Sequence, residues 1–98
     1  MSLIRRNPKR DANEKAIVDA LRDVGATVER LSGKGVPDLL VGFRGRTVLL
    51  EVKRQKRGRL TRDQRDWCWK WNGEAPVVVR NENEALAEVC ALRLTANP

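Results

Sequence analysis

A chain of 98 residues has room for one domain and one core. Its apolar share of 41% rules out a disordered chain, and no apolar run approaches the length of a membrane span. Twenty Lys and Arg against thirteen Asp and Glu leave a net charge of +7, which points to a polyanionic partner, nucleic acid first.

Residues 1–10 are basic, lack apolar periodicity, and read as a loose arm ahead of a single domain over 11–98. No secretory signal reads in that arm, so the expected location is the cytoplasm, the host's if the chain is viral. From Asp11, the residues Ala12, Ala16, Ile17, Ala20, Leu21 and Val24 recur at helical spacing. Asp11 and Glu14 form a capping-box pattern, and Gly25 is placed to stop the helix. Residues 26–31 read as a short strand, and 32–35 as a flexible loop. Val36-Pro37 sets an extended approach to a strand over 38–43. Arg44-Gly45 makes a tight turn into a third strand over 46–53.

A basic loop over 54–59 follows, and Thr61 caps a second helix with Gln64 in the capping-box position. Gln64, Trp67, Cys68 and Trp71 form its inward stripe, which assigns Trp67 and Trp71 to the core and leaves Trp69 off it. Asn72-Gly73 ends that helix. Residues 75–79 suit a buried strand, and Asn81 with Glu84 caps a last helix whose stripe is Ala85, Leu86, Val89 and Cys90. Cys68 and Cys90 are expected to be buried free thiols. The order helix, strand, strand, strand, helix, strand, helix predicts an α/β fold, a mixed sheet of about four strands flanked by helices.

Absences narrow the chemistry. The chain has no histidine and no tyrosine, which excludes Ser-His-Asp catalysis, histidine-based zinc hydrolysis and tyrosine recombination. A phosphodiesterase built from these residues has carboxylates, lysine and a hard metal ion to work with. The hairpin supplies a place for them. With Arg44 and Gly45 as the two loop residues, paired numbers sum to 89, and Asp38 falls directly across from Glu51. Lys53, two residues past Glu51, points to the same side. Two facing carboxylates repel; a wet surface tolerates that, or a divalent cation relieves it, and magnesium, which takes one or two carboxylates with waters and phosphate oxygens, fits the second case.

Val36-Pro37-Asp38 and Glu51-Val52-Lys53 resemble the PD-(D/E)XK nuclease signature. Together with Gly58-Arg59-Leu60-Thr61, Gln64 and Val77-Val78-Val79-Arg80, they resemble the virus-type replication-repair nuclease (VRR-NUC) domain, over residues 12 to about 92. The resemblance implies a restriction-endonuclease-like fold and Mg²⁺- or Mn²⁺-dependent endonuclease activity on DNA, with branched DNA such as four-way junctions as substrate. It implies a homodimer acting in DNA repair. It also implies Asp38, Glu51 and the Val52 carbonyl as metal ligands, Lys53 as the catalytic lysine, Glu14 as a further acid near the metal, and Gln64 as a supporting residue. Lys34, Arg54, Lys56, Arg57, Arg59 and Arg62 border that centre and are candidates for phosphate contact. A basic DNA-binding module without catalysis is the alternative, and an interaction protein on an inactive nuclease scaffold is a second.

Overall fold

The computed structural model describes residues 8–54 and 59–91, with side chains in the first helix from Ala12 onward. The proposed phosphate contacts Lys56 and Arg57, the motif residue Gly58, and the Asp11 side chain lie outside the described residues. Seven elements run in the expected order: α1 (Pro8–Asp23), β1 (Thr27–Arg30), β2 (Leu39–Phe43), β3 (Arg46–Val52), α2 (Arg62–Lys70), β4 (Val77–Val79) and α3 (Glu82–Cys90). They form an α/β protein with one mixed, open sheet in the order β1-β2-β3-β4. β1, β2 and β3 make an antiparallel meander, and β4 joins parallel to β3 after α2 has carried the chain back. Among the described residues no helix is long and apolar enough to cross a membrane.

α1 begins earlier than the periodicity indicated. It starts at Pro8, so residues 8–10 belong to the helix rather than to an arm, and Asp11 lies inside it rather than at its cap. Proline suits a first helical position because its missing N–H would have no intrahelical partner there. The other end closes as expected. Gly25, at φ 97°, donates its N–H to Arg22 O at 2.9 Å, and Ala26 donates to Leu21 O at 3.0 Å, the paired bonds of a Schellman motif. The chain leaves the helix there, so Val24 points outward and is 44% exposed, while Val18 takes an inward place beside Ile17 and Leu21.

The hairpin forms on two residues. Arg44 and Gly45 both have positive φ, 50° and 81°, as a type I′ turn demands. The Arg44 guanidinium lies over the Phe43 ring, 5.0 Å from its centre. Pairing from Phe43↔Arg46 to Leu39↔Leu50 keeps the sum of 89 throughout.

The core fills one face of the sheet. Leu39 and Val41 of β2, Leu50 and Val52 of β3, and Val79 of β4 meet Ile17, Val18 and Leu21 of α1 and Ala85 and Val89 of α3. Each fully buried branched side chain contributes about 1.5–3 kcal/mol. Arg46 locks the far end of α3: its Nη1 donates to Val89 O at 2.9 Å and to Ala91 O at 3.3 Å, satisfying carbonyls the helix leaves open.

α2 departs from expectation, for it buries no residue completely. Trp67 is half-buried and Trp71 is 43% exposed, so neither belongs to the core. Their rings stack on each other instead, with centres 4.9 Å apart and planes 18° from parallel. The stripe is real, but α2 approaches a polar cluster at the strand ends, so its tryptophans cover one another. Trp71 is anchored by an indole N–H donated to Glu74 O at 3.0 Å. Gly73 makes room for that indole, since a Cβ there would lie 2.7 Å from the ring. The helix itself closes before it, where the Trp71 N–H reaches Trp67 O. The thiols also differ from expectation. Cys68 is half-buried and Cys90, the last residue of α3, is exposed.

Candidate active site

Proline and the sheet register together place Asp38. Extending the β2–β3 register by one pair sets Asp38 across from Glu51, and by two sets Pro37 across from Val52. Proline has no N–H with which to continue the ladder. The Val52 N–H turns to the Asp38 carboxylate instead and donates to Oδ2 at 2.7 Å. The Asp38 carbonyl accepts from the Leu31 N–H at 2.8 Å, so backbone and side chain are each tied to a neighbouring strand. The Val52 side chain is buried in the core while its peptide spans the gap between Glu51 and Lys53.

Glu51 alternates with Leu50 and Val52 and so faces away from the main core, yet it is only 2% exposed. A carboxylate so enclosed needs partners. Gln64 Nε2 donates to Glu51 Oε2 at 2.6 Å, and the Lys53 ammonium stands 3.6 Å from the same oxygen. Lys53 Nζ donates to Gln64 Oε1 at 2.9 Å, and the Thr61 N–H donates to that oxygen at 2.8 Å. Donors on one side and an acceptor on the other fix which way the amide points. Gln64 makes two sets of contacts at once. It completes the capping box with Thr61, whose Oγ1 accepts from the Gln64 N–H at 3.2 Å, and it clamps Glu51 to Lys53.

Glu14 leans toward the sheet, 8% exposed, at helical spacing from the buried Ile17 and Leu21. Its carboxylate is engaged by Arg30, whose Nε donates at 3.1 Å. Sequence analysis passed over Arg30, although its alternation with Val28 on β1 places it on the face that α1 covers. Among the described residues, no three Asp, Glu, Cys or His side chains cluster closely enough to hold a metal, so Glu14 does not join Asp38 and Glu51 in a three-acid centre.

Lys34, Arg54, Arg59 and Arg62 are all exposed. Gly35 brings the Lys34 loop hard against the start of α2: at φ 76°, it lies where a Cβ would run into the Asp63 carbonyl. The Lys34 loop, the first turn of α2, and the carboxylates of Asp38 and Glu51 therefore meet at one end of the sheet. The donor set suits a hard divalent ion. Two oxygen-bearing carboxylates on adjoining strands match the one or two that magnesium takes from a protein, with waters and phosphate oxygens completing its shell. Comparison with known protein families, curated proteins and solved structures finds no match for this chain.

Proposed function

We propose that the chain is a metal-dependent DNA endonuclease of the PD-(D/E)XK type, resembling the VRR-NUC domain, with Asp38, Glu51 and Lys53 as its cutting centre. The observation that carries this is the junction of β2 and β3. There the Val52 N–H holds the Asp38 carboxylate, and the residues on either side of Val52 are the buried Glu51 and its lysine. The order of elements and the mixed four-stranded sheet are compatible with a restriction-endonuclease-like fold. Asp38 and Glu51, with the Val52 carbonyl, would hold Mg²⁺ or Mn²⁺. When bound, such an ion polarises a phosphate and lowers the pKa of its water.

The protein's own groups do the rest. Asp38 and Glu51 stay in place because each is hydrogen-bonded to an adjoining element. Lys53 is held by Gln64 rather than left to swing, so its ammonium is ready to donate to a phosphate oxygen as negative charge builds there. Lys34, Arg54, Arg59 and Arg62 supply backbone contacts whose strength falls steeply with salt. Glu14 pairs with Arg30 on the face that α1 covers, and the proposed centre does not use it. Branched DNA as substrate and a homodimer with two cutting centres complete the proposal.

The test is a cleavage panel of linear, flap and four-way DNA in Mg²⁺, Mn²⁺ or EDTA, with Asp38→Asn and Lys53→Ala alongside. Metal-dependent cutting is expected, with each variant slower by about a hundredfold or more while DNA binding persists. Cutting that survives both substitutions would place the chemistry elsewhere. Tight binding with no cutting by the unaltered protein, indifferent to EDTA, would make this a binding module. Sedimentation at micromolar concentration reads the dimer directly.

A further inference from the structure

Beside the proposed cutting centre, α2 and the Lys34 loop line an open groove of about 260 Å³, formed by Lys34, Asp63, Asp66, Trp67 and Lys70. That lies below the roughly 300 Å³ at which pockets for drug-sized ligands begin, so the groove suits a single ring system. Its chemistry is unlike the rest of this end of the molecule. Phosphate would be attracted by the two lysines and repelled by the two aspartates. Asp63, in the first turn of α2, is favoured there by the helix N-terminus, but Asp66 lies beyond that turn. Carboxylates instead match the N–H edge of a nucleobase. Trp67 adds an aromatic surface, backed by Trp71 stacked at 4.9 Å and anchored through Glu74, so it need not be ordered when a base arrives.

We infer that this groove is a subsite for one unpaired nucleobase of a DNA strand, stacked on Trp67, read by Asp63 and Asp66, and flanked by Lys34 and Lys70. It rests on the nuclease proposal in one respect only, that the strand so held runs to the centre at Asp38. The donor pattern ranks the bases. Guanine offers N1–H and an amino group to carboxylates, and O6 and N7 to lysines. Thymine offers a single N–H and ranks last.

The experiment uses the full chain in EDTA, so that binding is read without cutting. Pentamers of abasic sugars carrying guanine, thymine or a further abasic sugar at the centre are titrated, following tryptophan fluorescence. Central guanine is expected to bind about tenfold more tightly than thymine, and thymine more tightly than the abasic strand. Asp66→Asn, at an exposed position, should remove the preference for guanine and keep stacking. Trp67→Ala should remove the gain over the abasic strand, and Trp67→Phe should restore part of it. Equal affinity for all three pentamers would overturn the inference, as would a guanine preference untouched by both Asp66→Asn and Trp67→Ala. Circular dichroism shows that each variant is folded. Base preference in a protein that cuts nothing would sink the nuclease proposal and leave the subsite; cutting without base preference would do the reverse.

Discussion

The two faces of the sheet are built on different rules. On one, Leu39, Val41, Leu50 and Val52 disappear beneath α1 and α3. On the other, Leu40 and Leu49 stay half-buried, and the one completely enclosed side chain of that row is the charged Glu51. The first face gains stability from apolar area removed from water. The second holds a buried carboxylate, which Gln64 and Lys53 help to stabilise. Stability and the proposed chemistry are thus separated by one residue step along β3.

Adjacent substitutions should expose that division. Leu50→Ala is expected to cost about 2–5 kcal/mol, whereas Leu49→Ala, its neighbour on the other face, should cost about 1 kcal/mol. Urea unfolding of the pair decides it, and equal losses would mean that both faces are core. Gln64→Ala comes next, at about 1–3 kcal/mol, because it removes a helix cap and a hydrogen bond to a buried charge. Gln64→Glu keeps an acceptor for the Thr61 N–H but sets a second negative charge against Glu51. It should therefore retain more helix than the alanine variant while cutting DNA no faster, a split that thermal melts and cleavage rates will show.

Asp38→Asn should move stability by less than about 1 kcal/mol, since the amide oxygen can still accept the Val52 N–H and the charge facing Glu51 is gone. A large loss in a melt would mean that Asp38 is chiefly structural. The smallest effect belongs to α1's exposed side. Lys15 Nζ donates to Asp19 at 2.7 Å, and this bond holds the Asp19 carboxyl below its ordinary value of 3.8. A depressed folded-state pKa adds stability above the unfolded value that fades as pH falls through the folded one. Lys15→Ala should return the Asp19 titration toward 3.8, followed by carboxyl NMR shifts.

The contrast also explains what could be read from sequence. The Asp38–Glu51 register was legible because a two-residue turn leaves no freedom: once Arg44-Gly45 is the loop, every pair follows. Lys53 came with it by alternation. The role of Trp67 and Trp71 was not legible, because a helical stripe states that one side is apolar and not what lies opposite it. Val24 and Cys90 were misplaced for a simpler reason, since both stand at helix ends, where the stripe no longer faces the core. Arg30 was within reach, as its spacing from Val28 put it on the face that Glu14 approaches. The Asp63, Asp66 and Lys70 side of the groove was not, for it depends on how closely Gly35 lets a loop approach α2.

One amide ties a local event to a distant group. Gln64 Oε1 is shared between the Thr61 N–H and the Lys53 ammonium. Fraying of α2's opening turn, the weakest part of any short helix, would therefore release the lysine as well. Under the proposed function, warming should silence DNA cleavage several degrees before the strands come apart, with cutting acting as a thermometer for a single turn of helix.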